Sequence, residues 1–229
     1  MRVVSGVDDV NRAPVLGPLH IAIATATPKQ IKILQELGVK DSKLLTKKER
    51  YELLHPIIDT IKYWNVTFIP ASLITPETNL NVLEMRRYAK LIDKAWQIFG
   101  KHKTYIDNFE RSASKFITRL KQLLKQTPLT YLQPTKRYLK PEHDADKKYT
   151  IVSAASIIAK VMSDWYLDDV RNYYKENYGI EIGSGNPYDR KTLRFIKLVL
   201  LGEIPDDFNL IRYKWQTVQR LQKLINVGD

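Results

Sequence analysis

The chain has 229 residues, 44% of them hydrophobic, which fits one large domain or a domain with an appendage and excludes general disorder. It contains no cysteine, which excludes disulfides, zinc–thiolate sites and thiol nucleophiles. Lys and Arg total 37 against 25 Asp and Glu; the resulting +12 favours a polyanionic partner, nucleic acid first and an anionic membrane surface second.

No apolar run approaches the ~20 residues needed to span a bilayer. The N-terminus enters a strand without a signal-peptide pattern, so a cytoplasmic protein is expected. Residues 2–9 and 16–26 read as strands, joined by a hairpin-like Pro14–Pro18 segment that makes them antiparallel. Gln30–Leu37 reads as a short helix. Thr46-Lys47-Lys48-Glu49 is a capping box opening a helix with Leu53, Leu54, Ile57, Ile58 and Ile61 on one face. Trp64–Ile69 follows as a strand. Asn79–Phe99 is a long amphipathic helix and Lys103–Asp107 a short strand. Ser114–Gln126 reads as a basic helix, Leu129–Leu132 as a further strand, and Ile151–Asn177 as a long helix. Lys191–Leu201 and Tyr213–Ile225 complete the chain as helices. The alternation predicts an α/β fold on a mixed sheet, with residues 206–229 as a helical appendage to a domain over 1–205.

The first strand, Val3-Val4-Ser5-Gly6-Val7, ends on Asp8-Asp9, with Arg12 close behind. Adjacent carboxylates at the end of a buried strand are costly unless paired or metal-bound, so a divalent cation is the economical explanation. Asp107 also ends a strand, and Asp144 and Asp146 precede the long apolar helix. Strand ends of an α/β sheet converge on one edge. Carboxylates meeting there suit a pair of Mg²⁺ or Mn²⁺ ions, and hence phosphodiester hydrolysis. Asp41 and Asp189 suit turn or cap positions. His20 and His55 suit packing, whereas His143 is a candidate to touch the site. The clustered Lys40, Lys43, Lys47, Lys48 and Arg50, and the later Lys121, Lys125, Lys136, Arg137 and Lys140, form solvated faces or a phosphate track. Trp215 is assigned to the core ahead of a base-stacking platform.

The run Asp146-Lys147-Lys148-Tyr149-Thr150-Ile151-Val152-Ser153-Ala154-Ala155-Ser156-Ile157-Ile158-Ala159-Lys160-Val161 resembles the signature of type 2 ribonuclease H (ribonuclease HII), particularly its archaeal form. Three more segments are similar to the family in the same order: Gly38-Val39-Lys40-Asp41-Ser42-Lys43-Leu44-Leu45-Thr46, Gly183-Ser184-Gly185-Asn186-Pro187-Tyr188-Asp189 and Ile211-Arg212-Tyr213-Lys214-Trp215-Gln216-Thr217. The resemblance implies a ribonuclease H-like fold and a monomer that cleaves the RNA strand of RNA/DNA hybrids with two divalent metals. It assigns the acids to Asp8, Asp9, Asp107 and Asp146, with Asp144 as runner-up for the last. It places Asn11, Arg12, Ala13, Lys43, Ser153, Asn186 and Tyr188 at the substrate.

Departures from the family pattern are concentrated near the junction-sensing elements. Asp9 stands where the family has Glu, Asn11 and Ala13 where it has the glycines of Gly-Arg-Gly, and Asn186 where it has a tyrosine. Asn11, Ala13 and Asn186 imply weakened recognition of a single ribonucleotide embedded in DNA, and the shorter Asp9 implies an altered metal contact. A second reading is a catalytically impaired relative that binds nucleic acid without efficient cleavage. A third is a structural protein with a basic surface.

Overall fold

The computed structural model describes residues 2–126, 129–132 and 134–226. Its elements are β1 (Val4–Val10), β2 (Leu19–Ala26), α1 (Pro28–Glu36), α2 (Lys47–Thr60), β3 (Tyr63–Ile69), α3 (Leu80–Phe99) and β4 (Lys103–Asp107). There follow α4 (Ala113–Gln126), β5 (Leu139–Glu142), α5 (Ala145–Lys148), α6 (Thr150–Tyr178), α7 (Arg190–Leu200) and α8 (Gln216–Asn226). Among the described residues no helix is long and apolar enough to cross a membrane.

Helix starts follow local chemistry. Thr46 accepts from the Glu49 N–H at 3.2 Å, while Glu49 accepts from the Thr46 N–H at 2.6 Å, closing the expected box. Thr27 and Gln30 form a second box at the start of α1. Asp41 caps a 3₁₀ turn over Ser42–Leu44, and Asp189 caps α7, as anticipated.

The chain divides into two compact units, each assembled from separated segments. The first comprises the chain up to Val10, His20–Phe68 and Asn81–Met162. It is built on a five-stranded sheet of order β3-β2-β1-β4-β5. β1 runs antiparallel to β2 and parallel to β4, and β4 is parallel to β5, so the sheet is mixed as expected. Ala22, Ala24 and Ala26 of β2 share a core with Ile151, Val152, Ala155, Ile158 and Ala159 of α6. Small alanines permit this close approach, and Gly6 shows how close it is. A Cβ on Gly6 would lie 2.4 Å from the Ile151 carbonyl oxygen, so only glycine fits against the start of α6. The opposite alternation of β1 and β4 meets α3, where Trp96 Nε1 donates to Thr104 at 3.1 Å.

Two strand assignments change. Leu129–Leu132 is a bend, in which the Tyr131 and Leu132 N–H groups both donate to Asp93 Oδ1 at 2.7 Å. The strand beside β4 is Leu139–Glu142 instead. Its four residues alternate, but so short a run with a proline inside does not read as a strand; it exists through pairing, with Asp107 opposite Glu142. Leu16 also lies outside β2, in an isolated bridge to Ile211.

The second unit comprises Asn11–Leu19, Ile69–Leu80 and the chain from Ser163 onward. Residues 206–226 fall within it. Its core joins Val15 and Leu16 to Val170 and Tyr174 of α6, Phe195 and Ile196 of α7, and Val218 of α8. The helix expected to begin at Tyr213 begins at Gln216, preceded by a turn around Arg212 and Trp215.

Candidate active site

In the first unit β1 and β4 run parallel, with Val7 opposite Ile106, so Asp8 and Asp107 follow as the next residues at neighbouring strand ends. Side chains alternate along a strand. Asp8 therefore shares the α6-facing side with Gly6, and Asp107 shares it with Tyr105, which stacks on Tyr149 at 4.0 Å. Ser156 of α6 hydrogen-bonds the Asp8 carboxylate and lies 2.9 Å from the Ser42 hydroxyl. That contact pins the Asp41–Leu44 turn beside the acids.

Asp146 comes to the same place from α5. It is buried, and its Oδ2 accepts from Lys43 Nζ at 3.2 Å. Its Oδ1 is buried without a hydrogen-bond partner. Asp144 takes a left-handed backbone (φ 54°) and pairs at the surface with Lys147 at 2.8 Å. The structure thus brings Asp146, and not Asp144, to Asp8 and Asp107. Ser153, expected at the substrate, is buried and donates to the Asp146 carbonyl at 2.6 Å, which fixes the backbone carrying that acid.

Asp9 leaves the strand on the opposite side. Its Oδ1 accepts from the Tyr88 hydroxyl of α3 at 2.7 Å, and its N–H donates to Asp8 Oδ1 at 2.8 Å. Asp107 Oδ1 accepts from the Ala145 N–H at 2.9 Å. His143 is exposed, with Nε2 3.5 Å from the Arg111 carbonyl; it does not join the acids.

The electrostatics follow from crowding. Burial, then the charges of Asp9, Asp107 and Asp146, push the Asp8 carboxyl well above the usual range. Burial raises Asp107 to about 6 against the opposing pull of the Ala145 N–H. Partial desolvation lowers Lys43, but the hydrogen bond and charge of Asp146 outweigh it and leave the ammonium raised. Among the described residues no three such side chains already converge at ligand spacing. The donor set nevertheless suits a hard divalent cation: neighbouring carboxylates, one with a buried oxygen lacking any donor and one buried beside other acids. Asp8, Asp107 and Asp146 are the side chains that could hold such an ion, with Asp9 adjacent to Asp8 in β1.

The second unit holds the other sequence-selected residues. Asn11 adopts φ 63°, the left-handed geometry that asparagine tolerates, and its amide donates to the buried Ser163 hydroxyl. Ala13 is not among the residues with positive φ, so alanine needs no unfavourable backbone there. The loop is held by a residue whose role the sequence did not reveal. Arg212 is fully buried, and its guanidinium donates to the carbonyls of Gly17 (2.6 Å), Asn11 (2.8 Å), Pro14 (3.0 Å) and Arg12 (3.2 Å). Trp215 packs against the core as anticipated and donates to the Ala13 carbonyl at 2.7 Å. The Gly183–Asp189 turn joins this loop through Val15 N–H to Gly185 O at 2.8 Å. Within the turn, Asn186 Oδ1 accepts from the Tyr188 N–H at 2.9 Å, and Tyr188 is 89% exposed. A Cβ on Gly183 would sit 2.6 Å from Asp189 Oδ2, the oxygen that accepts from Ser184; hence the glycine.

Tyr88, Ser42 and Ser156 touch the acids or the turn beside them without any sequence signal that marks them as site residues. Tyr88 falls within the amphipathic Asn79–Phe99 helix, where its spacing reads as packing; the one clue in its residue type is that a buried phenol requires an acceptor.

The family description for ribonuclease HII matches residues 5–218. The chain is 33% identical to the ribonuclease HII of Methanococcus vannielii over 226 residues, 97% of this chain and 86% of that one. It is 32% identical to the ribonuclease HII of Pyrococcus horikoshii over 223 residues, covering 96% and 93%. The crystal structure of the ribonuclease H2 from Pyrococcus horikoshii OT3 superposes with a TM-score of 0.78 at 30% identity, covering 98% of this chain and 99% of that one. On both sequence and fold, this chain belongs to the ribonuclease HII family.

Proposed function

We propose that this chain hydrolyses the RNA strand of RNA/DNA hybrids at a two-metal centre held by Asp8, Asp9, Asp107 and Asp146, with weakened recognition of single ribonucleotides in DNA. Ribonuclease H activity dependent on divalent metal is the family's activity. The observation that supports the metal centre is that Asp8, Asp107 and Asp146 lie close enough to repel one another, with a buried Asp146 oxygen lacking a donor. Bound Mg²⁺ or Mn²⁺ supplies activation of water and charge stabilisation at the scissile phosphate. The protein's own contribution is positioning. Ser156 and Asp9 N–H orient Asp8, Ala145 N–H orients Asp107, and Ser153 fixes the backbone of Asp146. Lys43, largely exposed and anchored at Asp146, offers its ammonium to a phosphate oxygen. The net charge of +12 favours a polyanionic substrate.

The weakened junction reading rests on the second unit. The Asn186 side chain is committed to its own turn and has no ring to stack on a sugar, and Tyr188 points into solvent. Asn11 and Ala13 add side-chain atoms where the family pattern has glycine, although neither strains the backbone.

The test uses two defined duplexes, a long RNA/DNA hybrid and a DNA duplex with one ribonucleotide, each with Mg²⁺ and Mn²⁺. Cleavage of the hybrid, abolished by Asp8→Asn or Asp107→Asn, with much weaker cleavage of the single-ribonucleotide duplex, is expected. Equal efficiency on both duplexes overturns the specificity reading. Hybrid binding without cleavage under either metal overturns the enzyme reading and favours an impaired relative.

A further inference from the structure

We propose that Tyr88 is a positioning residue for Asp9, and that the two together do the work of the longer acid expected at this position. This inference rests on the metal-centre reading above. Asp9 is one methylene shorter than glutamate, and it leaves β1 on the side opposite Asp8. A short side chain there needs an external hold to keep a carboxylate oxygen at the strand end. Tyr88 supplies it, its hydroxyl donating to Asp9 Oδ1 at 2.7 Å.

The hold is rigid. Tyr88 is fully buried in α3, and its ring meets Phe109 edge-on at 5.4 Å and Phe116 at 6.5 Å. The phenol therefore presents its O–H from a fixed point, and the Asp9 N–H bond to Asp8 Oδ1 restrains the same residue from the backbone side. With Oδ1 committed to tyrosine, the carboxylate plane is set and the orientation of Oδ2 with it. Outer partners that orient metal-binding side chains typically alter metal affinity ten- to a hundredfold when removed. A glutamate at position 9 reaches one methylene further than the aspartate that already meets this hydroxyl at 2.7 Å, so we take the identities of the two positions to be coupled.

The experiment is calorimetric titration of the full chain with Mn²⁺ in the absence of nucleic acid, with thermal melts to confirm folding. Tyr88→Phe, which removes only the hydroxyl, is expected to weaken Mn²⁺ binding about tenfold. Asp9→Glu alone is expected to weaken it similarly, because the hydroxyl obstructs the longer chain. The double variant is expected to recover to within about threefold of the parent, the signature of coupled positions. Wild-type affinity in Tyr88→Phe, or additive losses in the double variant, overturns the proposal. Should Tyr88→Phe fail to fold, Asp9→Glu still decides, since unchanged or tighter Mn²⁺ binding in that variant refutes the coupling. Asp8→Asn separates the two levels. Binding that depends on Asp8 and not on Tyr88 refutes only this inference, whereas binding that is absent or indifferent to Asp8 overturns the metal centre and this inference together.

Discussion

Removing the Arg212 guanidinium should unfasten the Asn11–Gly17 loop at a large cost in stability. The side chain is fully buried and makes one Nε bond, to Gly17, and three shared Nη1 bonds, to Asn11, Arg12 and Pro14. Hydrogen bonds from a charged donor contribute ~1.5–3 kcal/mol net, and carbonyls left without a donor in the interior add a desolvation penalty. Because three bonds share one nitrogen, they count as about one strong interaction. The sum for Arg212→Met is then about 3–5 kcal/mol, a third or more of the stability of an ordinary domain. Arg212→Lys keeps the charge and loses the fork, so it should cost about 2 kcal/mol. Urea unfolding followed by tryptophan fluorescence measures both, and Trp215, whose ring lies 5.8 Å from the Arg212 guanidinium, is a reporter on the spot. Hydrogen exchange provides a local check: the Val15 and Gly17 amides, bonded to Gly185 and Leu210, should lose protection before the amides of β1 do. A loss below about 1 kcal/mol in Arg212→Met, with both amides still protected, would refute the reasoning that this buried cation is the fastening of the loop.

Three further outcomes are expected. The carboxyls of Asp8 and Asp107 are raised in the folded chain, Asp107 from 3.8 to about 6, so the metal-free fold binds more protons than the unfolded chain across that window and loses stability as pH rises through it. Asp8→Asn and Asp107→Asn should therefore raise the melting temperature in EDTA at about pH 7 and converge with the parent near pH 4; identical melts at both pH values would contradict this. Gly6→Ala places a methyl 2.4 Å from the Ile151 carbonyl oxygen and should cost about 3 kcal/mol in urea unfolding, as α6 must shift. At position 11, where φ is 63°, Asn11→Ala should be less stable than Asn11→Gly by about 1 kcal/mol, since both lose the Ser163 bond and only alanine resists the left-handed backbone.

The sequence by itself determined what is local or periodic. The Thr46–Glu49 box, the apolar stripe of α3 and the β-branched run of β1 are set by neighbours within a few residues, so their chemistry is complete in the chain. Asp8-Asp9 and Asp107 following apolar strands made an acidic sheet edge legible before any coordinates, because charge at a buried strand end demands compensation. Only the tertiary structure decided the rest. Alternation about β1 separates Asp8 from Asp9, turning one toward α6 and the other toward Tyr88, which adjacency in sequence conceals. The choice between Asp144 and Asp146 depends on where α5 docks; one lies at the surface beside Lys147, the other buried beside Lys43. β5 alternates over only four residues and carries a proline, too little for a strand to be read locally, and it owes its existence to pairing with β4. Arg212 lies about two hundred residues from the carbonyls it holds, and no local rule joins a cation to bare backbone oxygens at that separation. Such contacts are properties of the packed interior, where every buried polar group must find its partner.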